Sequence, residues 1–530
     1  MSRQNAQRTE SWPPPSGEQP DSDPPPNSLP SSGTVSIAEY VDLDGGQGRD
    51  IFFRPDRYQR SDLGPVGAVV ELGLPEKVER CELHDVSQNG LAFEWPRDVP
   101  VEVGLVLDRV AVKFDEHEAY SGAARVSSVR RREDRTIVGV SLLETLMNIE
   151  DVLHLRDVKA WNAGADSKGL GLERAPWRVP GQERFKALVA ELRLFLEDAQ
   201  VRFAELEASL PWHVVAGDQE SPARDALVDR IRSGFAAEVV AFSNEINTAL
   251  QDATKYEREA LREYSLRHLH QLLMQSPWMQ RARLKPLGYP GDYEIMNSVY
   301  GNHFRGQSLF AKAVDYAFAL TPAAEAVRDR KDLVKARLAA LLDARTDGRP
   351  LRILTIAAGP AQEIYELFEE RPSIDGPVEI VLFDQDKRAL TYSYGRLRRI
   401  VSAKRFTNVR LIHLHDSIKR LLRGTSVFAN YGKFDAVYAV GLFDYLQLHT
   451  WVSLCRTLYD TVAPGGTLYI GNMVPTNPSR WFMELHLDWF LVYRSHSEML
   501  ELALAAAADA HVRILEEPNG VNPFVALTRQ

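Results

Sequence analysis

The chain has 530 residues, of which 44% are hydrophobic and 26% charged, with a formal net charge of −10. That length implies two or three domains with real cores, and the acidic balance argues against nucleic acid as a main partner. The two cysteines, Cys81 and Cys455, fall in different predicted domains, which excludes a disulfide framework or a thiolate metal site and fits a reducing cytoplasm. The polar N-terminus has no signal-peptide pattern, and no apolar run approaches the ~20 residues that span a bilayer.

Residues 1–48 are rich in Pro, Ser, Asp and Gln, with Pro13-Pro14-Pro15 and Pro24-Pro25-Pro26. Such a segment buries too little surface to order itself and is expected to be a disordered tail.

Residues 49–150 change to short alternating runs separated by turns. The spacing predicts strands at 68–72, 78–83, 90–94, 101–107, 110–114, 123–129 and 136–142, and hence a small antiparallel β-barrel. Within it stands His84-Asp85-Val86-Ser87-Gln88-Asn89-Gly90, with Ala124-Arg125-Val126 and Val138-Gly139-Val140 beyond. This stretch resembles a PilZ domain, the bacterial receptor for cyclic di-GMP, whose motif is Asp-x-Ser-x-x-Gly. The resemblance implies that Asp85, Ser87 and Gly90 meet the nucleotide. Upstream arginines would fork onto its phosphates. The family has two arginines four apart, whereas Arg54, Arg57 and Arg60 stand three apart. Two readings stay open: a cyclic di-GMP site, or a basic patch kept for packing or partner contact.

Residues 175–275 carry helical periodicity. Leu188, Leu192, Phe195 and Ala199 share one face, and Leu227, Ile231, Phe235, Val239, Phe242, Ile246 and Leu250 recur at spacings of three and four. A helical layer packed on its own neighbours is expected, with a dimerising helical hairpin, and so a homodimer, as the alternative. Residues 276–348 contain the aromatic turn Gly288-Tyr289-Pro290-Gly291-Asp292-Tyr293 and are expected to form a helical lid.

From 349 to 530 the chain alternates strands and helices. Apolar runs end at Gly359-Pro360, at Asp384-Gln385-Asp386, at Asp416 and at Gly441, and a fifth follows Pro464-Gly465-Gly466. This predicts a doubly wound parallel sheet with a ligand at the strands' carboxyl ends. An acid ending the second strand is placed to take a ribose's hydroxyls. The order resembles the class I S-adenosylmethionine-dependent methyltransferases. The resemblance implies S-adenosyl-L-methionine as cofactor, held by Thr355, Gly359, Gln362, Asp384, Asp386, Asp416 and Ser417. Thr355, Ala357, Gly359 and Ala361 stand where that family usually has an acid and three glycines.

A helix is expected to start at Asn477-Pro478-Ser479 and to run through Arg480, Glu484, His486, Asp488 and Val492. With the Gly-Tyr-x-Gly-Asp-Tyr-Glu turn, the Ala-x-Gly-Pro-Ala-x-Glu loop and Asn-Pro-Ser-Arg-x-Phe-Met-Glu, the chain is similar to one particular methyltransferase family. That family is named for making the extracellular factor 3-hydroxypalmitic acid methyl ester. It implies a small or lipid-like acceptor and shares the shortened glycine loop. A carboxylate acceptor needs only an orienting donor, for which Arg480, Arg494, His486 and Asn472 are candidates. A hydroxyl or amine needs a base, His486 or Glu484. The residues leave that choice open. They also leave open a cyclic di-GMP adaptor whose methyltransferase fold has no activity.

Overall fold

The computed structural model describes residues 38–42, 57–74, 77–88, 90–96, 99–131, 135–145, 147–149, 151–156, 158–159, 182–215, 221–301, 304–344 and 348–530. Arg54 and most of the expected tail lie outside them.

Ala38–Asp42 forms β1, which belongs to the larger of two sheets. The smaller sheet is the barrel. Its strands are β2 (Tyr58–Gln59), β3 (Ala68–Gly73), β4 (Val78–Ser87), β5 (Gly90–Trp95), β6 (Val106–Phe114), β7 (His117–Arg131) and β8 (Thr136–Leu142). They run in the order β2-β4-β3-β6-β7-β8-β5, and pairing of β4 with β5 closes six of them into an antiparallel barrel. Closure removes the exposed edges. Alternate side chains such as Val70, Leu72, Leu83, Val110, Val112 and Phe114 fill the interior. Of the expected strand at 101–107 only Val106 and Leu107 are strand, residues 101–105 forming a turn, and they join 110–114 in one strand, β6, with an irregularity between Leu107 and Val110 against β7. One extra residue there breaks the alternation that made them look separate.

The larger sheet holds β9 (Leu351–Ile356), β10 (Val378–Asp384), β11 (Val409–His415), β12 (Phe434–Ala439), β13 (Val462–Gly471), β14 (His511–Leu515) and β15 (Phe524–Thr528). The order is β1-β11-β10-β9-β12-β13-β15-β14, parallel except at β15. All five apolar runs of the sequence appear here as β9 to β13. They are buried on both faces, as a sheet covered by helices on each side requires. The chain reverses its winding between β9 and β12, and the crevice of such a sheet opens at that point.

β1 corrects the expectation of a tail as far as residue 48. It pairs in parallel with β11, Ala38 opposite Leu411 and Asp42 opposite His415. Arg410 of β11 donates to Glu39 at 3.0 Å and to Glu379 at 2.8 Å. Five residues cannot hold a strand alone; this one needs an edge supplied by distant sequence.

The helical region packs as a layer inside this chain. Its helices include Glu183–Ser209, Pro222–Ile231, Ala237–Ala249 and Lys255–Leu273. Leu188, Leu192, Leu227, Ile231, Val239 and Ile246 share one apolar core with Trp278, Phe318, Trp481, Phe482 and Leu487. The layer and the lid therefore share one core with the segment after β13, and the Pro322–Asp343 helix leads from it into β9.

Candidate active-site cleft

β9 ends in a loop where Ala357, Gly359 and Ala361 all take left-handed backbone angles, with φ of 54°, 54° and 50°. Such angles cost an alanine roughly 1 kcal/mol or more, so tertiary bonds must hold them. Ala358 N–H donates to Phe383 O of β10 at 3.2 Å. Gly359 N–H donates to the Asp384 carboxylate at 2.8 Å. A Cβ placed on Gly359 would meet nothing within 4 Å, so this face of the loop is open to a ligand.

The register of β10 against β9 sets Leu382 opposite Thr355 and Phe383 opposite Ile356, which carries Asp384 just past the end of β9. Asp384 is 6% exposed and also accepts from Asp386 N–H at 2.8 Å. Burial and the neighbouring Asp386 push its carboxyl up to about 6, against the pull of its backbone N–H bonds. Asp386 accepts from the Tyr289 hydroxyl at 2.8 Å. The lid turn is thus tied to the end of β10.

The same turn is fixed from its other side. Arg281 donates to both Asp292 oxygens, at 3.2 and 3.0 Å, and Asp292 accepts from Glu294 and Ile295 N–H at 3.0 Å. A Cβ on Gly291 would come within 2.6 Å of the Trp489 ring, and φ there is +74°. Trp489 donates to Tyr445 Oη at 2.9 Å, and Lys285 donates to Asp488 O at 2.7 Å and to its carboxylate at 2.9 Å. Lid, β9 loop, β10 and the segments after β12 and β13 line one cleft that opens to solvent. Thr355, Gly359 and Asp384 are part of its wall, and Met296, Val299, Val327, Met483, Leu487 and Leu491 are the apolar part of that wall, its apolar arm.

The expected cofactor residues divide. Thr355, Gly359 and Asp384 stand on the cleft wall, and Asp386 reaches it through Tyr289. Gln362 turns away, accepting from Arg396 at 2.8 Å and donating to Glu366 at 2.9 Å. Asp416 is fully buried beside β10, where its N–H meets Asp384 O at 3.2 Å and its carboxylate caps Ser417 N–H at 2.7 Å. Neither Asp416 nor Ser417 lines the cleft.

The three expected catalytic residues stand off the cleft wall. The expected long helix stops after Arg480–Leu485 because Asp488 takes a left-handed φ of 52° to meet Lys285 and Arg262. His486 is consequently turned into the helical layer, 2.8 Å from Ser265 Oγ, and burial holds its imidazole neutral well below the usual range. Arg480 and Glu484 bond each other at 2.5 Å. Arg494 is consumed by the Phe443 and Leu446 carbonyls and by Asn472.

Sequence reasoning missed Tyr289, Glu363, Arg330, Asp444 and Tyr445, all of which line the cleft. Tyr289 carried a signal as part of the aromatic turn, and Glu363 as the last residue of the Ala-x-Gly-Pro-Ala-x-Glu loop. Arg330 offered a subtler one: it continues the buried stripe Ala323, Val327 at helical spacing.

In the barrel, Arg57 pairs with Asp85, which also lies 3.2 Å from His84 Nδ1. Arg60 instead donates to Gly64 O at 3.4 Å. Ser87 bonds Gly90 O at 3.0 Å within the β4–β5 turn, and a Cβ on Gly90 would press to 2.5 Å from Val140 O. Structure therefore brings Arg57 and Asp85 together but uses Ser87 and Gly90 to close the turn. Gln88 donates to Leu284 O and Lys285 O, each at 3.3 Å, so the turn touches the lid.

No protein-family model matches this chain, and no curated protein matches it. Among solved structures, a possible exported protein from Bordetella parapertussis is similar over 59% of this chain and 99% of its own, at 18% identity and a TM-score of 0.38. Magnesium protoporphyrin IX methyltransferase from Synechocystis PCC 6803, with bound SAH, covers 40% of this chain and 89% of its own, at 9% identity and 0.30. The methyltransferase domain of a citrinin polyketide synthase covers 70% and 96%, at 12% identity and 0.34. At such identities and scores the reading of the cleft rests on this chain's own geometry. Among the described residues, no helix is long and apolar enough to cross a membrane.

Proposed function

We propose that the chain is an S-adenosylmethionine-dependent methyltransferase whose acceptor is a carboxylic acid, such as a hydroxy fatty acid, converted to its methyl ester. The observation that carries this reading is the junction of Gly359 N–H with the Asp384 carboxylate at the open end of β9. The residues fit the cofactor: Asp384 would accept from the ribose hydroxyls, and the bare face at Gly359 leaves room for its backbone approach. When bound, the cofactor supplies an electrophilic methyl group.

The chain's own part is to position the acceptor and exclude water. The acceptor's carboxylate oxygen forms the new O–C bond as the C–S bond breaks and its electron pair leaves on sulfur. A carboxylate is already ionised at neutral pH, so no base is required. That agrees with the cleft, where no histidine is found among the described lining residues. Apart from Asp384, which faces the cofactor, its carboxylates are engaged: Glu363 accepts from Tyr438 Oη at 2.8 Å, and Asp444 from Met473 N–H at 2.6 Å. The apolar arm suits a hydrocarbon tail.

The barrel is read as the regulator, with cyclic di-GMP competing with Arg57 for Asp85 and Gln88 passing the change to the lid. Isothermal titration of the full chain with S-adenosylhomocysteine tests the core reading. Micromolar binding that is lost in Asp384→Ala is expected; no heat and no thermal shift at millimolar ligand overturns it.

A further inference from the structure

Arg330 is the cation of the cleft wall whose bonds are incomplete. It sits on the Pro322–Asp343 helix and is 6% exposed. One terminal nitrogen donates to Asn522 Oδ1 at 2.7 Å, and the other lies 3.9 Å from Met296 Sδ. The nearest carboxylate, Asp444, is 3.9 Å away and already holds Met473 N–H. Arg330 Nε is buried and has no hydrogen-bond partner. Burying a guanidinium nitrogen without a partner costs free energy that a ligand carboxylate would return. Arg494, the other buried arginine nearby, shows the contrast, since backbone carbonyls and Asn472 take up its guanidinium. Gly441, after β12, makes room for the guanidinium itself, because a Cβ there would come within 2.9 Å of it.

We infer that Arg330 binds the carboxylate of the acceptor and selects acids over neutral amphiphiles. Ala323, Ala324 and Val327 continue the same helix face along the apolar arm, so a head held at Arg330 leaves its tail in that arm. The inference rests on the methyl-transfer reading of the cleft for its purpose, though not for the binding itself.

Decanoate and decanol, titrated into the full chain with and without S-adenosylhomocysteine, test it. Wild type should bind decanoate at least tenfold tighter than decanol. Arg330→Met should erase that preference and leave decanol and S-adenosylhomocysteine affinities unchanged, and Arg330→Lys should restore part of it. Equal affinity of wild type for the two probes overturns the inference without requiring any variant to fold. A loss in Arg330→Met confined to S-adenosylhomocysteine, with 5′-methylthioadenosine unaffected, also overturns it by assigning Arg330 to the cofactor's own carboxylate. Failure of wild type to bind S-adenosylhomocysteine defeats the methyl-transfer reading alone, because the decanoate preference is measured separately.

Discussion

The barrel's Asp85 and the cleft's Asp384 are both buried carboxylates at strand ends, yet they are in opposite conditions. Asp85 already has a guanidinium, from Arg57, and a ligand there must displace an existing ion pair. Asp384 has only backbone N–H partners and a neighbouring acid, so its charge is under-compensated and faces an open cleft. A site whose partners are already satisfied gains little from a ligand; a site left short gains much. Incomplete compensation, more than burial, is what makes the cleft the proposed place for a ligand.

The largest expected effect on this contrast comes from removing each acid in turn. Asp384→Ala should weaken S-adenosylhomocysteine binding by about a hundredfold or more, since two charge-assisted bonds are lost. Asp85→Ala should leave that affinity within about twofold, read by the same titration; equal losses would erase the distinction.

Two glycines probe the scaffolds next. Gly291→Ala drives a methyl into Trp489 at a left-handed φ, and should cost about 1–3 kcal/mol and loosen the lid. Gly90→Ala drives one into Val140 O and should lower barrel stability by a similar amount. Thermal melting with hydrogen exchange should find the first effect at 284–301 and the second in β4, β5 and β8.

Acidity separates the sites by a smaller margin. Asp384 is raised from 3.8 to about 6, so folding without ligand favours its neutral form. Its contribution, about 3 kcal/mol, is fully present below pH ~4 and is lost as pH rises through about 6. Ligand binding runs the other way, because the ribose hydroxyls need the ionised form. S-adenosylhomocysteine affinity should fall up to about tenfold per pH unit below about 6, and Asp384→Asn should flatten that slope. A slope that survives the substitution would assign the titration elsewhere.

The smallest effect belongs to Gln88→Ala. It removes two 3.3 Å bonds between barrel and lid and should cost under about 1 kcal/mol. Faster hydrogen exchange at 284–291, with cleft affinity changed less than about fivefold, is the expected result. Unchanged exchange would break the proposed link.

Local pattern was enough for β9 to β13, the barrel's alternation and the helical stripes, because a strand buried on both faces or an amphipathic helix writes its environment into consecutive residues. The acid after β10 and the glycine after β9 were legible for the same reason: a ligand crevice at strand ends depends on where apolar runs stop. Three-dimensional packing alone decided the rest. β1 orders only against an edge supplied by β11. His486 left the cleft because Asp488, left-handed, is anchored by Lys285 and Arg262 from far upstream. Arg330 became the cleft's unsatisfied cation because Gly441 and Asp444, from the segment after β12, and Asn522, from the loop before β15, close around it without completing its bonds. Contacts between distant segments leave no periodicity in the chain, and the chemistry of this cleft is made from such contacts.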